Sequence, residues 1–434
     1  MKFIADFHIH SKYSRATSKD MTLEMLNKWA KIKGVQVLGT GDFTHPAWLK
    51  ELKEKLEPLD NGLFKLKNDL PAPASPAGGD EAGADGFFIL TAEISCIYSK
   101  NGRVRKVHML ILAPSFSAVE KINTRLALIG NLKADGRPIL GLDAKELTKI
   151  VLDASPECLA VPGHIWTPWF SVFGSKSGFD SLEECFEEYT KYIYAGETGL
   201  SSDPAMNWRW SELDKIALIS NSDAHSPQKI GREANVFDTE ISYPAISQAI
   251  KDKDPSKFLF TIEFFPEEGK YHFDGHRACK IRCSPEQAKK YNNICPNCGR
   301  PLTLGVLHRV DDLADRQENE RPASAIPFRN LIPLREIIGE AFGVGPASKR
   351  VGEEYERIIA KAGSELEILL ETPEQDLLLS ALPRVVEGII KVRQGNVSID
   401  PGYDGVYGKI NIFLQVPPSG AQATPSGDSQ NTLF

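Results

Sequence analysis

Short apolar segments that contain, or are directly followed by, a histidine or a carboxylate recur through the first 265 residues. These segments are KFIADFHIH, VQVLGTGDF, FFILTAEIS, VHMLILAP, CLAVPGH and IALISNSDAH. Helical stretches such as MTLEMLNKWAKIKG separate several of them, with Thr22 as a candidate N-cap and Gly34 as a C-terminal stop. Alternation of this length predicts an α/β fold, either a barrel or a wound sheet. In a barrel, chemistry gathers at the carboxyl ends of the strands, where these polar residues fall.

The composition of the chain indicates a soluble protein with more than one domain. The chain has 434 residues, of which 41% are hydrophobic and 25% charged, as expected for a soluble protein of two or three domains. It has no run of 18 apolar residues and no secretory signal in MKFIADFHIH, so we expect a cytoplasmic protein without membrane association. A net charge of −7 argues against a broadly basic surface, although basic residues outnumber acidic ones between Arg277 and Arg316.

Histidines and carboxylates have the spacing of metal ligands. His8 and His10 are two residues apart on a predicted strand, so both rings face one side, and Asp223 and His225 repeat that spacing. On its own, His-x-His also suits two partly exposed strand histidines. The other candidates at strand starts and ends are Glu93, His108 and His164. Together, these ligand types predict a multinuclear centre of zinc, manganese or iron, with a carboxylate between cations about 3.5–4 Å apart.

A cluster of cysteines predicts a second, structural metal site. Its members have the pattern C-x3-C-x11-C-x2-C and are Cys279, Cys283, Cys295 and Cys298. Four thiolates saturate a tetrahedral zinc ion, which folds a segment too short to build a core. Three histidines flank the cluster and are possible substitutes, namely His272, His276 and His308. Nearby Arg282 and Arg300 suit either phosphate contacts or a solvated face.

The motif series DFHIH, GTGD, TAEIS and SDAH resembles that of the PHP (polymerase and histidinol phosphatase) superfamily. The resemblance implies a distorted (β/α)7 barrel that hydrolyses phosphoesters with two or three divalent metals, Zn, Mn or Mg. Carried over by position, the ligands would be His8, His10, Asp42, His45, Glu93, His108, His164, Asp223, His225 and Asp20, with Glu93 bridging. Asp223, Glu93, His225 and Asp6 would be the catalytic group.

Two departures from the PHP pattern leave the third metal position open. In GDFTHP the expected histidine does not follow Asp42 directly, and His45 stands three residues later. No histidine follows DFHIH closely, so Asp20 is the nearest carboxylate for a further ligand. Asp6 precedes His8 by two residues on the same strand, which predicts that its carboxylate orients a ligand imidazole.

Longer segments resemble the endonuclease Q family more closely. They include HSKYSRATSKDM, GTGDFTHP, HIWTPWFSVFGSKSGFD, SNSDAHSPQKIGREAN and the cysteine module, and they span most of residues 8–316. The resemblance implies cleavage of DNA 5′ to deaminated bases (uracil, hypoxanthine, xanthine) or abasic sites, leaving 3′-hydroxyl and 5′-phosphate ends. A sliding clamp is a possible further partner, but the C-terminal NTLF lacks the usual motif.

Residues beside the predicted centre are candidates for substrate binding. Enzymes that act on a damaged base extrude it into a pocket and stack it on aromatic rings. The aromatic residues after His164 predict such a wall, with hydrophobic loop packing as the alternative; they are Trp166, Trp169, Phe170 and Phe173. The polar residues after DFHIH are candidates for holding phosphate, namely Lys12, Tyr13 and Arg15.

The predicted domains follow from these motifs. We expect a catalytic barrel over 1–265 with a mobile insertion at 61–86, a four-cysteine module over 266–318, a mainly helical domain over 319–415 and a disordered tail over 416–434. GEAFGVGPASKR in the helical domain is similar to a helix–hairpin–helix turn. Two alternatives remain, a histidinol-phosphate-like phosphatase of small molecules and an inactive DNA-binding repair scaffold.

Overall fold

The computed structural model describes residues 1–67 and 86–413 and shows a mixed α/β fold with a large central sheet, as predicted. Its strands are β1 (Lys2–Asp6), β2 (Val37–Gly39), β3 (Leu56–Pro58), β4 (Phe64–Leu66), β5 (Phe87–Lys100), β6 (Arg103–Ala113), β7 (Ile139–Leu140), β8 (Leu159–Pro162), β9 (Ala195–Glu197), β10 (Ala217–Ile219), β11 (Ala234–Asp238), β12 (Phe258–Glu263), β13 (Asp274–His276), β14 (Ile281–Cys283), β15 (Phe328–Asn330), β16 (Ser398–Asp400) and β17 (Lys409–Asn411).

Helices cover the sheet and build the C-terminal part of the chain. They are α1 (Leu23–Lys33), α2 (Pro46–Lys55), α3 (Phe116–Leu126), α4 (Ala144–Ala154), α5 (Leu182–Phe186), α6 (Pro204–Trp208), α7 (Tyr243–Asp252), α8 (Pro285–Lys290), α9 (Val306–Leu313), α10 (Leu334–Phe342), α11 (Lys349–Ala362), α12 (Glu365–Leu370), α13 (Glu374–Ser380) and α14 (Pro383–Arg393). Within the described ranges, no helix is long and apolar enough to cross a membrane.

Strand pairing brings the ends of sequentially distant strands together. β1 pairs in parallel with β2 and β2 with β5, while β5 pairs antiparallel with β6 and β6 with β8. On the other side of β1, β11 and then β12 pair antiparallel. The separate parallel pair β9–β10 approaches β1 through a bridge between Ile9 and Ala224. The segments after β1, β2 and β10 therefore share one edge.

These strands surround a common apolar cluster. The cluster residues that lie in these strands or directly after them are almost fully buried and include Phe3, Ala5, Phe7, Val37, Ile89, Leu110, Leu112, Leu159, Val161, Ala195, Ala217, Ile219, Phe237 and Phe258. In a strand, alternate residues share a face, so Glu93, opposite Leu110 in the β5–β6 register, and His108 lie on the face that carries Leu110. The apolar cluster thus supports the polar centre from below.

The predicted limits of α1 are confirmed. The Thr22 side chain accepts a hydrogen bond from the amide of Met25, and Gly34 ends the helix with φ of 82°, a left-handed conformation that favours glycine. A Cβ at Gly34 would lie 2.4 Å from Oγ of Ser364, so this turn also packs closely against the chain just before α12.

Part of the predicted insertion belongs to the sheet. Within 61–86, Phe64–Leu66 forms β4, which pairs with β3 and β5, so this portion is not a surface insertion. The apolar Phe64 is buried against Phe116, which explains its place in the fold. Residues 68–85 and the tail predicted at 416–434 lie outside the described residues.

Candidate metal centre

Two groups of side chains converge at the shared edge of the sheet. His8, His10 and Asp223 form one group, and Glu93, His108 and His164 the other. In each group, one ligand atom from every residue lies within 4.8 Å of the others. His8 and His10 follow β1, Asp223 follows β10 and His164 follows β8, whereas Glu93 and His108 lie within long strands.

Glu93 lies between the two groups. Its Oε2 is 3.5 Å from Nε2 of His8 and 3.3 Å from Nε2 of His10. Its Oε1 is 2.5 Å from Nδ1 of His108 and 3.2 Å from Nε2 of His164. A carboxylate with one oxygen toward each group has the geometry that bridges two cations.

Two buried carboxylates orient the first pair of imidazoles. Glu197 lies 2.9 Å from Nδ1 of His8, and Asp42 lies 3.1 Å from Nδ1 of His10. Each contact leaves Nε2 directed at the centre. A carboxylate behind a histidine fixes its tautomer and ring orientation in metal sites.

Ligand atoms without hydrogen-bond partners test whether a cation fits. Nε2 of His8, Nε2 of His10 and Oδ1 of Asp223 are buried and have no hydrogen-bond partner among the described residues. Because an unsatisfied buried polar atom is costly, the convergence of these three atoms is what a cation-binding site requires. Nitrogen and carboxylate donors suit zinc or manganese, so the residues fit the implied metals.

The pKa shifts of the ligand residues also indicate a site that binds cations. Burial alone would lower the pKa of the His8 imidazole, but the Glu197 and Glu93 carboxylates raise it well above its usual value. Burial alone would raise the pKa of Glu93, but His108, His8 and Arg137 hold it well below its usual range. The site therefore favours positive charge, which a divalent cation supplies as it displaces protons.

Backbone strain is concentrated around these ligands. Asp42, His164, Phe170 and Asp223 all have positive φ, at 51°, 29°, 62° and 46°. Such conformations cost energy for residues other than glycine and persist where the surrounding structure imposes them, often at functional sites.

Four predicted ligands lie outside both groups. Asp42 accepts hydrogen bonds from Ser11 and Ser14 as well as facing His10, so it acts behind a ligand. His45 begins α2 and stacks on Tyr13 at 4.4 Å. The His225 ring lies 4.5 Å from that of His10 at the rim of the site. Asp20 is exposed, belongs to neither group and accepts a hydrogen bond from Ser18.

The expected role of Asp6 is corrected. Its carboxylate accepts from the amides of Ser222 and Gly231, at 3.1 and 3.0 Å, so it holds the backbone around Asp223, and within the described ranges it has no hydrogen bond to an imidazole. Burial raises its pKa to about 6. Glu197 orients His8 instead. The sequence carries a signal for it, since Glu197 also ends an apolar run, YIYAGE.

The aromatic loop after His164 divides into core and rim. Trp166 and Phe173 are 1% and 0% exposed and pack with Trp210, so they are core residues and form no pocket wall. Trp169 is 51% exposed. The Phe170 ring lies 4.7 Å from that of His108, beside the metal centre.

The polar residues after DFHIH mostly face away from the centre. Lys12 and the Tyr13 hydroxyl both contact Glu51 of α2, at 2.9 and 2.6 Å. Arg15 is highly exposed and pairs with Asp135. Arg137 does contact the centre, since its Nη1 lies 2.9 Å from Oε2 of Glu93, and no motif in the sequence predicted this contact.

The structure brings three of the four predicted cysteines together, but a histidine takes the place of the fourth. His276, Cys279, Cys295 and Cys298 form a group whose ligand atoms lie within 4.8 Å of one another. Cys283 lies outside that group. In the β13–β14 hairpin Cys283 pairs with Asp274, two residue pairs further from the turn than His276. It packs in a small apolar cluster with Ala288, Leu302 and Cys295, the last of which also belongs to the ligand group. Three thiolates and an imidazole still suit structural zinc.

The flanking groups of this cluster have separate tasks. Burial opposes ionisation of Cys295, but the amides of Asn297 and Cys298 lower its pKa to about 7. His308 lies 2.6 Å from Asp274, which also accepts from the amide of Gly305, and this contact secures the hairpin. Arg282 pairs with Asp400 and the carbonyl of Pro401, and Arg300 is exposed.

Similar proteins match both the sequence and the fold. Residues 333–396 match the model of the MJ0043 C-terminal domain. The uncharacterised protein MJ0043 of Methanocaldococcus jannaschii is 37% identical over 258 residues, 58% of this chain, which spans about a third (32%) of that relative's length. The uncharacterised protein YqxK of Bacillus subtilis is 30% identical over 94% of this chain and 99% of its own.

Two solved structures cover almost the whole chain. The lesion-specific endonuclease PfuEndoQ of Pyrococcus furiosus is 32% identical, with a TM-score of 0.82 over 95% of this chain and 96% of its own. An endonuclease Q bound to a 27-mer duplex with an abasic lesion at its active site is 31% identical, with a TM-score of 0.79 over 97% and 100%. Matches of this identity over both full lengths show common descent, and the chain is a member of the endonuclease Q family.

Proposed function

We propose that this chain is a metal-dependent DNA-repair endonuclease with a PHP-type centre. The observation that carries the proposal is the position of Glu93 between two groups of buried ligands, in a chain similar end to end to a nuclease bound to an abasic duplex. The proposed reaction is hydrolysis of the phosphodiester bond 5′ to a deaminated base (uracil, hypoxanthine or xanthine) or an abasic site. The products carry 3′-hydroxyl and 5′-phosphate ends.

The side chains have distinct tasks in this proposal. Bound divalent cations neutralise phosphate oxygens and lower the pKa of a water toward about 7. His8, His10 and Asp223 would hold one cation and His108 and His164 a second, with Glu93 shared between them. Glu197 and Asp42 keep the first two rings in place.

Two rim groups complete the proposed active site. Burial and the neighbouring His10 lower the pKa of the His225 imidazole, which favours its neutral form, the form that accepts a proton. Trp169 exposes its ring on the loop that places Phe170 beside His108, where an extruded nucleotide needs a stacking surface.

Two features support DNA over a small phosphomonoester as substrate. A small substrate requires neither the Cys/His cluster nor the helical region from α10 to α14. The near-complete ligand set argues against an inactive scaffold. Zinc in the Cys/His cluster and two or three cations of zinc, manganese or magnesium at the centre complete the proposal.

Cleavage of 5′-labelled duplexes tests the function. Each duplex carries one uracil, hypoxanthine, abasic site or normal base, and reactions contain Mg²⁺, Mn²⁺ or EDTA. We expect metal-dependent nicking just 5′ to the lesion, lost in Asp223→Asn. Hydrolysis of a phosphomonoester without DNA cleavage would favour the phosphatase, and a protein inert on both would favour the scaffold.

A further inference from the structure

Arg137 lies against the carboxylate that both ligand groups share. Its Nη1 is 2.9 Å from Oε2 of Glu93, the oxygen that faces His8 and His10. The side chain is 30% exposed while Glu93 is fully buried, so the guanidinium lies between the centre and solvent. A substrate that reaches Glu93 from this side of the centre contacts the guanidinium.

The loop that carries Arg137 is tied to the centre. The amide of Gly136 donates to the carbonyl of Tyr13 at 3.1 Å, and Oγ1 of Thr44 donates to the carbonyl of Gly136 at 3.2 Å. A Cβ at Gly136 would lie 2.3 Å from Oδ2 of Asp42, so the loop approaches as closely as only glycine permits. These contacts fix the backbone from which Arg137 extends.

The chemistry of arginine suits a task on the substrate. A guanidinium stays charged at any working pH and has five N–H donors in a fork that matches phosphate oxygens. The contact with Glu93 leaves most of these donors for other partners. Cations that share the charge of Glu93 would also weaken its attraction for Arg137, because like charges repel.

We propose that Arg137 is a catalytic residue, which donates hydrogen bonds to a non-bridging oxygen of the scissile phosphate. The proposal rests on the proposed function and adds a substrate contact to it. A donor preorganised at the phosphate stabilises the charge that develops there during attack. The competing interpretation is a positioning role, in which Arg137 only holds Glu93 in place for the metals.

Metal affinity separates these two roles. If Arg137 acts on the phosphate, its removal takes a competing cation off Glu93, so Mn²⁺ should bind Arg137→Ala as tightly as wild type or more tightly. If Arg137 only positions Glu93, Mn²⁺ affinity should fall and excess Mn²⁺ should restore full cleavage. Calorimetric titration with Mn²⁺ measures this without substrate.

The experiment compares Arg137→Ala and Arg137→Lys with the wild-type chain and with Arg103→Ala. Arg103 is an exposed arginine at the start of β6 and serves as the matched control. On an abasic duplex we expect Arg137→Ala to lose about 10²–10³-fold in kcat, the usual loss when one transition-state donor is removed. Arg137→Lys should recover part of that loss, and added guanidinium chloride should partly rescue the alanine variant.

Three results would overturn the proposal. Unchanged kcat in Arg137→Ala contradicts it, as does a loss that saturating Mn²⁺ fully restores. Equal loss in Arg103→Ala would show a general charge effect. If the wild-type chain cuts no DNA, the proposed function fails and this proposal with it, whereas wild-type cleavage with an unaffected variant rejects the role of Arg137 alone.

Discussion

Glu197 lies 2.9 Å from Nδ1 of His8 and leaves Nε2 of that ring facing Glu93. The same carboxylate accepts from Nδ2 of Asn221 and from the amide of His164, both at 2.9 Å. One buried side chain therefore ties together three segments of the metal centre, those that follow β1, β8 and β10.

Replacement of Glu197 tests that relationship. Glu197→Gln replaces one carboxylate oxygen by an NH2 group, which donates hydrogen bonds and does not accept them. At least one of the three groups that donate to Glu197 then loses its acceptor. We expect metal affinity to fall about 10–100-fold, as when other carboxylates behind ligand histidines are removed. Mn²⁺ titration measures the loss, with exposed Glu183→Gln as control. Unchanged affinity would show that His8 needs no such partner.

The proposed zinc site in the Cys/His cluster predicts opposite outcomes for members of the group and for Cys283, which lies outside it. Cys279→Ala and His276→Ala should lower the zinc content, because both supply ligand atoms to the group, whereas Cys283→Ala should keep one zinc per chain. Chelator release with a colorimetric zinc assay measures the stoichiometry. Loss of zinc in Cys283→Ala with retention in His276→Ala would restore the four-cysteine prediction.

The spacing of ligands along strands made much of the centre predictable. His8, His10, His164 and Asp223 follow strand ends, and strands that run in the same direction end at one edge of the fold. His276 was a flanking candidate, but hairpin register decides between it and Cys283, and register depends on pairing partners that local sequence does not display.

Other parts of the site depend on long-range packing. Arg137 reaches Glu93 from a loop whose position is set by Tyr13 and Thr44, far away in sequence. Trp166 and Trp169 lie only three residues apart in the sequence, yet one is a core residue and the other is exposed. The conformation of the loop directs the two side chains to different environments, and the hydrophobic periodicity of a sequence does not predict the conformation of a loop.

Lys33 and Glu365 form a buried ion pair that joins α1 to α12, with Nζ and Oε2 2.5 Å apart. The Tyr355 hydroxyl also donates to Glu365. Glu365→Gln should lower the free energy of unfolding by about 3–5 kcal/mol, because it leaves Lys33 buried without a counter-charge. Exposed Glu353→Gln, beside Lys349, should change it by less than about 1 kcal/mol.

The stability lost in Glu365→Gln should depend on pH, and the pKa of Glu365 determines the direction of that dependence. Burial opposes the charge of Glu365, but Lys33 and Tyr355 hold its pKa below the usual 4.5. The stabilisation is therefore present above about pH 4.5 and is lost as pH falls through the lower folded pKa. Urea denaturation from pH 3 to 7 should show the gap between wild type and Glu365→Gln narrowing in acid. A gap independent of pH would contradict the ion pair.

The two tryptophans of the aromatic loop should respond differently to alanine. Trp166→Ala should lower the free energy of unfolding by about 3–5 kcal/mol because it empties a buried site. Trp169→Ala should leave stability and metal affinity almost unchanged but reduce discrimination between damaged and normal bases. Cleavage rates on uracil and undamaged duplexes measure the second effect. Unaltered discrimination would remove Trp169 from the proposed pocket.

The most direct test of the shared carboxylate is Glu93→Gln. After zinc in the Cys/His cluster is subtracted, metal analysis and a nicking assay on an abasic duplex are run on the same preparation. We predict at least two further cations per wild-type chain and fewer per variant chain. The variant should also lose the nick 5′ to the lesion, although the other ligand residues of both groups are unchanged. A variant that keeps all its cations and cuts at the wild-type rate would contradict a centre built around Glu93.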